Sequence, residues 1–254
     1  MALKAVDYDE RQHAVYAAGR AMDEDLIAVW MRLFADHLPA ERPLPLVDLG
    51  SGVGRLTPAL AQAFGGPVWG VEPSRKMREI AVATASAPDV RYLGGEAAHI
   101  LLPDDAAGGI LMFLSFHHVL DRAAAAREIA RVLRPSGRLL IVSGFSDRMA
   151  GVSPLHRFFP RAEEIEKEMF PTVEEAVAVF EPVGLRRLAL ARIEVRRWKS
   201  AAEALERLRL RPYSTFEHLT EAEIVEGLAR LEAEVAAGAI QGPIMGASDL
   251  LVLG

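Results

Sequence analysis

The residues best suited to chemistry lie in one run, Val47-Asp48-Leu49-Gly50-Ser51-Gly52-Val53-Gly54-Arg55-Leu56-Thr57-Pro58. A second acid, Glu72, follows Gly50 by 22 positions. A strand running into Gly-x-Gly-x-Gly can bend through positive φ and let a ligand approach the backbone with no Cβ in between. Pro58 falls in the first turn of the next helix, where a missing N–H costs nothing. The glycines alone suit any tight strand–helix turn, and Glu72 alone suits a solvated loop acid. Together they point to a nucleoside: Glu72 ends the next strand, Val68-Trp69-Gly70-Val71-Glu72, at the offset where α/β folds hydrogen-bond a ribose diol. The dinucleotide pattern Gly-x-Gly-x-x-Gly is not met. The third glycine comes one residue early, Arg55 stands where the last would be, and Asp48 would oppose a pyrophosphate. That acid suits a ligand bearing an ammonium and a sulfonium.

A further cluster, Leu114-Ser115-Phe116-His117-His118, follows a later apolar run. Imidazole titrates near neutrality, so His117 or His118 suits a general base. The alternative is that one packs under a helix and the other caps its backbone. Adjacent histidines point in different directions and no third ligand stands at metal spacing, so no metal site is expected.

The elements that must carry these residues follow from periodicity. Leu46–Leu49, Val68–Val71, Val90–Leu93, Ile110–Leu114 and Arg138–Val142 read as strands. Between them lie helical stripes Leu56/Leu60/Phe64 and Met77/Ile80/Ala81/Thr84, then alanine-rich Arg122–Leu133. Strands alternating with helices of this length form βαβ units and a parallel sheet buried on both faces. Before them, Asp7 to Leu38 reads as helical, with Leu26, Val29, Trp30, Leu33 and Phe34 at spacings of three and four. After Gly144 the rhythm changes. Thr172 with Glu175 and Thr220 with Glu223 are capping boxes opening two helices. Leu185–Val195 alternates like an edge strand, and Leu250–Leu253 reads as one more.

Composition narrows the class. Of 254 residues, 51% are hydrophobic and 25% charged, an ordinary globular balance. A net charge of −6 disfavours a general nucleic-acid surface. With no cysteine, disulfides, thiolate metal sites and a cysteine nucleophile are excluded; such a chain suits the reducing cytoplasm. Met1–Gln12 carries Lys4, Asp7, Asp9, Glu10 and Arg11 and does not read as a signal peptide. The longest apolar run falls far short of the roughly 18 residues that cross a bilayer, so no membrane partner is expected.

From Leu46 to Val142 the chain resembles the class I S-adenosylmethionine-dependent methyltransferases, most closely the broad small-molecule group. Asp48 to Gly54 is similar to that family's first motif, and Val71-Glu72-Pro73-Ser74-Arg75-Lys76-Met77 to its second. Tyr92-Leu93-Gly94-Gly95-Glu96-Ala97 is similar to the motif after the third strand, and Glu128 to Leu139 to the helix leading into the fifth. The resemblance implies a Rossmann-like, seven-stranded, mostly parallel sheet with helices on both faces and an antiparallel last strand. It also implies a helical N-terminal lid and a helical insertion after the fifth strand. The implied cofactor is S-adenosylmethionine, with S-adenosylhomocysteine as product. Its amino-acid end would lie against Asp48, Leu49, Gly50, Ser51 and Gly52. Its ribose would lie on Glu72, and its adenine among Pro73, Met77, Gly95, Glu96 and Ala97. Leu114 and Ser115 would lie beside the methyl group. On the lid, Tyr16 or Arg20 would hold the carboxylate. Departures from the family pattern are Glu96 for the commoner Asp, Gly108-Gly109 before the fourth strand, and Pro135-Ser136-Gly137 after the fifth helix.

The expected organisation is one domain over residues 1–254. Residues 1–40 form the lid, 45–144 the cofactor core and 145–254 the acceptor side, with Phe145, Leu155, His156, Phe158 and Phe159 as an apolar pocket wall or as packing for an extra helix. Between Arg186 and Arg211 nine Arg or Lys face three Glu. Either this is a solvated face, or the small-molecule acceptor carries a carboxylate or phosphate, or, as a third reading, the stretch is an RNA surface. The expected activity is methyl transfer to an O, N or C atom. The rival readings are a nicotinamide-dependent oxidoreductase, for which no Tyr-x-x-x-Lys pair is present, and an S-adenosylmethionine-binding protein without methyl transfer.

Overall fold

The computed structural model describes residues 6–150 and 152–254. A π-helical turn over Tyr8–Gln12 leads into helix α1 (His13–Gly19) and, after a break, α2 (Glu24–Ala35). Then come β1 (Leu44–Leu49), α3 (Thr57–Phe64), β2 (Gly65–Glu72), α4 (Arg75–Thr84), β3 (Val90–Gly94), β4 (Ala107–Phe113), α5 (Arg122–Val132) and β5 (Leu133–Ser143). The remainder runs α6 (Leu155–Phe158), α7 (Pro160–Met169), α8 (Val173–Phe180), β6 (Arg187–Trp198), α9 (Ala201–Arg209), α10 (Glu221–Ala236) and β7 (Ile244–Leu253). The seven strands form one sheet in the order β3-β2-β1-β4-β5-β7-β6. Strands β3 to β5 of that order pair in parallel, and β7 runs antiparallel to β5, with Leu139 opposite Leu253. The expected mixed sheet is therefore present, with order reversing between β1 and β4, where ligands of open α/β sheets bind. Among the described residues no helix is long and apolar enough to cross a membrane.

The continuous N-terminal helix expected from Asp7 to Leu38 is instead broken at residues 20–23. Asp23 is the reason on one side: its Oδ1 accepts from Leu26 N at 3.0 Å and so starts a new helix. Strand β7 is longer than the expected Leu250–Leu253, because Gly246, Ala247, Ser248 and Asp249 extend it without a hydrophobic signature. Strand β4 ends one residue early, since Leu114 turns to φ +58.

By contacts the chain forms two compact units, each discontinuous in sequence. The first to be described comprises Met22–Ser143, Glu174–Ala191 and Asp249–Gly254. Its centre is the buried strand set: all seven residues of β4 are buried, as are Leu139 to Val142 of β5. Burial on both faces explains why these strands read as continuous apolar runs. Trp30 and Phe34 of α2 stack at 5.8 Å, and Trp30 meets Phe113 edge-on at 5.1 Å. The Gly108-Gly109 departure has a steric cause: an added Cβ at either would lie 2.3 or 2.4 Å from Leu44 Cδ1 or Leu38 Cδ2.

The other unit comprises Met1–Ala21, Gly144–Val173 and Arg192–Ser248. Leu155, Phe158, Phe159, Trp198, Leu208 and Phe216 are among the buried residues of its own core. Of the two readings for the post-Gly144 aromatics, this one is core packing, not an open pocket wall. Phe145 is fully buried as well, and His156 is engaged at 2.8 Å by Glu166, whose other oxygen accepts from Thr215 at 2.9 Å. The Thr220–Glu223 capping box forms as expected at the start of α10.

Candidate functional site

The glycine loop is dictated by its backbone. Gly50, Gly52 and Gly54 take φ of +79°, +56° and +78°, a region in which a Cβ is strained. Space is limiting too: a Cβ on Gly50 would lie 2.5 Å from Ser115 Cβ. Gly50 N and Ser51 N donate to Val71 O, at 2.8 and 3.2 Å, which fastens the loop to the end of β2. Ser115 Oγ donates to Leu49 O at 2.7 Å, which fastens it to the turn after β4. Leu114 N donates to Val142 O at 2.8 Å, so the left-handed turn at Leu114 is held to β5. A non-glycine residue at such a φ stores on the order of 1 kcal/mol or more, and such positions cluster at functional sites.

Glu72 is buried and accepts from Gly52 N and Ser74 N, both at 2.9 Å. Its carboxylate is therefore aimed at the loop before any ligand arrives. Ser74 caps α4 by accepting from Met77 N at 3.1 Å, which sets Met77 in its buried position, whereas Pro73 is exposed. Asp48 is buried at the end of β1, and its Oδ2 accepts from Thr57 Oγ1 at 2.7 Å. Burial pushes this carboxyl up to about 6, against the opposing pull of the Thr57 hydrogen bond and of Arg55.

The segment after β3 is anchored by residues whose role the motif comparison alone did not reveal. Glu128 Oε2 accepts from Ile100 N at 3.0 Å, while Arg131 bridges Glu128, Asp104 and the carbonyls of Ile100 and Leu102. The Arg131 hydrogen bond holds the Glu128 carboxyl down to about 2. This clamp fixes the stretch carrying Gly95, Glu96 and Ala97. Gly95 lies close to Val71 and His99, Glu96 is exposed and bridges to His99, and Ala97 is buried. A Glu–x–x–Arg pair on a helix face, three residues apart, was the available signal.

His117 and His118 lie in a short 3₁₀ turn, Phe116–His118, with ring centroids 4.0 Å apart. His118 N donates to Ser115 O at 3.0 Å. Thus the Leu49–Gly52 loop, Glu72 and Ser115 are joined by direct hydrogen bonds or contacts, with Asp48, Leu114 and the histidines adjoining them along the chain. Tyr16 and Arg20 belong to the other unit. There Arg20 stands over the Tyr213 ring at 4.1 Å and shares side-chain hydrogen bonds with Tyr16 and Tyr213. Among the described residues no group of three or more His, Asp or Glu is placed to hold a metal ion.

The cationic stretch is largely matched within the fold. Arg187 pairs with Glu174, Arg207 with Glu203, Arg209 with Glu232 and Arg211 with Glu221. Arg197 donates to Ala247 O and Ser248 Oγ. The pairing supports the solvated-face reading of this stretch.

The arrangement fits an adenosylated amino acid. Three glycines leave a cradle that side chains would fill, and the Ser51 hydroxyl within it is buried with no hydrogen-bond partner among the described residues. An orphaned hydroxyl of this kind calls for a partner. One buried acid stands at each end of the loop's reach, which suits a cationic amino-acid end and a ribose diol and not a pyrophosphate.

Residues 47–141 match the family model described as a methyltransferase domain. An uncharacterized methyltransferase of Mycobacterium tuberculosis is 39% identical over 106 residues; the match covers 42% of each chain, less than half the length of that relative. The crystal structure of a putative methyltransferase from an antibiotic biosynthesis pathway of Anabaena variabilis superposes with a TM-score of 0.74 at 22% identity. It covers 93% of this chain and 99% of that one. The [4+2]-cyclase SpnF has the same fold, with a TM-score of 0.62 at 17% identity over 92% of this chain and 84% of that one.

Proposed function

We propose that this chain, a member of the class I S-adenosylmethionine-dependent methyltransferase family through its 47–141 domain, methylates an O, N or C atom of a small-molecule acceptor. One observation carries the reading. The matched domain coincides with a glycine loop that is clamped to Glu72 on one side and Ser115 on the other. When bound, S-adenosylmethionine supplies an electrophilic methyl group on a positively charged sulfur, so the hard chemistry is the cofactor's.

The chain's own part is binding, alignment and proton removal. Asp48 and the Gly50–Gly52 backbone receive the amino-acid end. Glu72 accepts from the ribose hydroxyls, Met77 and Pro73 flank the adenine, and Glu96 with the Ala97 N–H reads its edge. Leu114 and Ser115 line the place of transfer. Alignment of this sort supplies about 7–11 kcal/mol of barrier reduction. His117 or His118 takes the acceptor's proton where one must leave, a contribution of about 10²–10⁴-fold. Four of the nine 186–211 cations pair with carboxylates of the fold, so that stretch by itself does not call for an anionic acceptor.

The test is product detection. Incubation with S-adenosylmethionine and a panel of phenols, amines and β-dicarbonyl compounds is expected to yield S-adenosylhomocysteine and an acceptor heavier by one methylene. Glu72→Ala is expected to weaken S-adenosylhomocysteine at least tenfold, and unchanged affinity would refute the ribose assignment. A different specific observation favours a second reading: the fold is shared with the [4+2]-cyclase SpnF, and one architecture can host unrelated chemistries. Tight cofactor binding with an altered acceptor skeleton and no S-adenosylhomocysteine would select it.

A further inference from the structure

Beside the glycine loop stand two polar side chains, Thr57 and Tyr92, for which the cofactor assignment has no use. Thr57 Oγ1 donates to Asp48 Oδ2 at 2.7 Å. The Tyr92 hydroxyl donates to Ala85 O, at the end of α4, at 2.9 Å and lies close to Thr57. Tyr92 fills the room that two glycines leave. A Cβ on Gly54 would lie 2.2 Å from its hydroxyl, and one on Gly70 would lie 2.5 Å from its ring. The third loop glycine is thus shaped around Tyr92. The Asp48 carboxylate at the end of β1 is tied to the start of α3, while Tyr92 of β3 is packed against the loop's third glycine.

We infer that Thr57, braced by Tyr92, is a positioning residue for the cationic amino-acid end of the cofactor: it holds Asp48 by one oxygen and leaves the other for an ammonium. The inference rests on the cofactor reading above and adds to it a role for two residues outside the binding set. A hydroxyl donor also favours the ionised carboxylate, as does Arg55, whereas burial and the nearby Glu72 disfavour it. Ionised Asp48 is what an ammonium needs, so ligand uptake in mildly acidic solution draws a proton off this group. Loss of the Thr57 hydroxyl removes that support and moves the ionisation to higher pH.

Calorimetric titration of the full chain with S-adenosylhomocysteine, and separately with adenosine, between pH 5 and 7.5 tests this. Adenosine lacks the amino-acid end and serves as the internal control. A group titrating near 6 goes from roughly one-tenth to nine-tenths ionised between pH 5 and 7. The expected result is therefore about a tenfold gain in S-adenosylhomocysteine affinity over that range, with adenosine changing less than about twofold. Thr57→Val is expected to weaken S-adenosylhomocysteine several-fold at pH 7 and shift its profile upward, leaving adenosine unaffected, while Thr57→Ser restores both. Tyr92→Phe is expected to give a smaller shift in the same direction. The inference is overturned if Thr57→Val matches the wild type, or if the wild-type profile is flat. It is also overturned if Thr57→Val loses adenosine equally, which marks a merely structural role. Failure of the wild type to bind either ligand instead overturns the cofactor reading beneath it.

Discussion

The glycine loop and the unit that contains Gly144–Val173 and Arg192–Ser248 differ in what constrains them. In the first, backbone geometry selects the residue. Gly50 has φ +79 with Ser115 against it, and Gly54 has φ +78 with Tyr92 against it. In the second, Gly238 and Gly242 also take positive φ, yet an added Cβ would meet nothing within 4 Å. Its polar groups are matched by ion pairs such as Arg209–Glu232 and Arg161–Glu223, for which many sequences would serve. A site built on backbone constraint announces itself in sequence, whereas one built on amphipathic packing does not.

That contrast can be broken most easily at the glycines. Gly50→Ala is expected to lower S-adenosylhomocysteine affinity by about a hundredfold or more, because strain and collision fall on the loop itself. Gly238→Ala, read by the same titration and by thermal melts, is expected to leave affinity unchanged and to destabilise by about 1 kcal/mol. Equal losses in the two would erase the distinction. Next in size is Asp48→Asn. The wild-type carboxyl is raised from 3.8 to about 6, so its ionisation in the folded state opposes folding. That penalty is absent below about pH 4, grows as the unfolded chain ionises first, and is complete above pH 6, where the shift corresponds to about 3 kcal/mol. Denaturant unfolding should therefore show the variant gaining stability over the wild type from pH 4 to 7, while binding the cofactor product more weakly. A gain that shrinks with rising pH would contradict the assignment.

On the other side of the comparison, Thr215→Val removes the donor to buried Glu166 and is expected to destabilise by about 1–3 kcal/mol. Affinity for S-adenosylhomocysteine should stay within about twofold, and a larger change would tie this unit to the cofactor. The smallest effect is expected from Arg211→Ala. It breaks an exposed pair with Glu221 and should shift stability by less than about 1 kcal/mol, read as a change in the urea midpoint.

Legibility followed how local the deciding chemistry is, not which unit a residue belongs to. The loop, Glu72 at the end of β2, Pro58 in the first turn of α3 and the Thr220–Glu223 box were all readable, because each is a local rule of backbone or cap chemistry. The break after α1 was not, since Ala14, Ala17 and Ala18 suit a helix and the decision lies with the Asp23 cap. Half of β7 was hidden because Ser248 and Asp249 are buried polar residues inside a strand. Thr57 and Tyr92 stood within recognised motifs, but their joint role depends on β1 and β3 being brought together, which no spacing along the chain encodes. Phe158 and Phe159 are equally apolar as a pocket wall or as a core, and only packing decided between them.

The most direct test of the central claim is a calorimetric titration of the wild-type chain at neutral pH with S-adenosylhomocysteine and, in parallel, NADH. The account predicts a one-to-one isotherm for the first and no heat beyond dilution for the second. Strong heats for NADH with none for S-adenosylhomocysteine would contradict it.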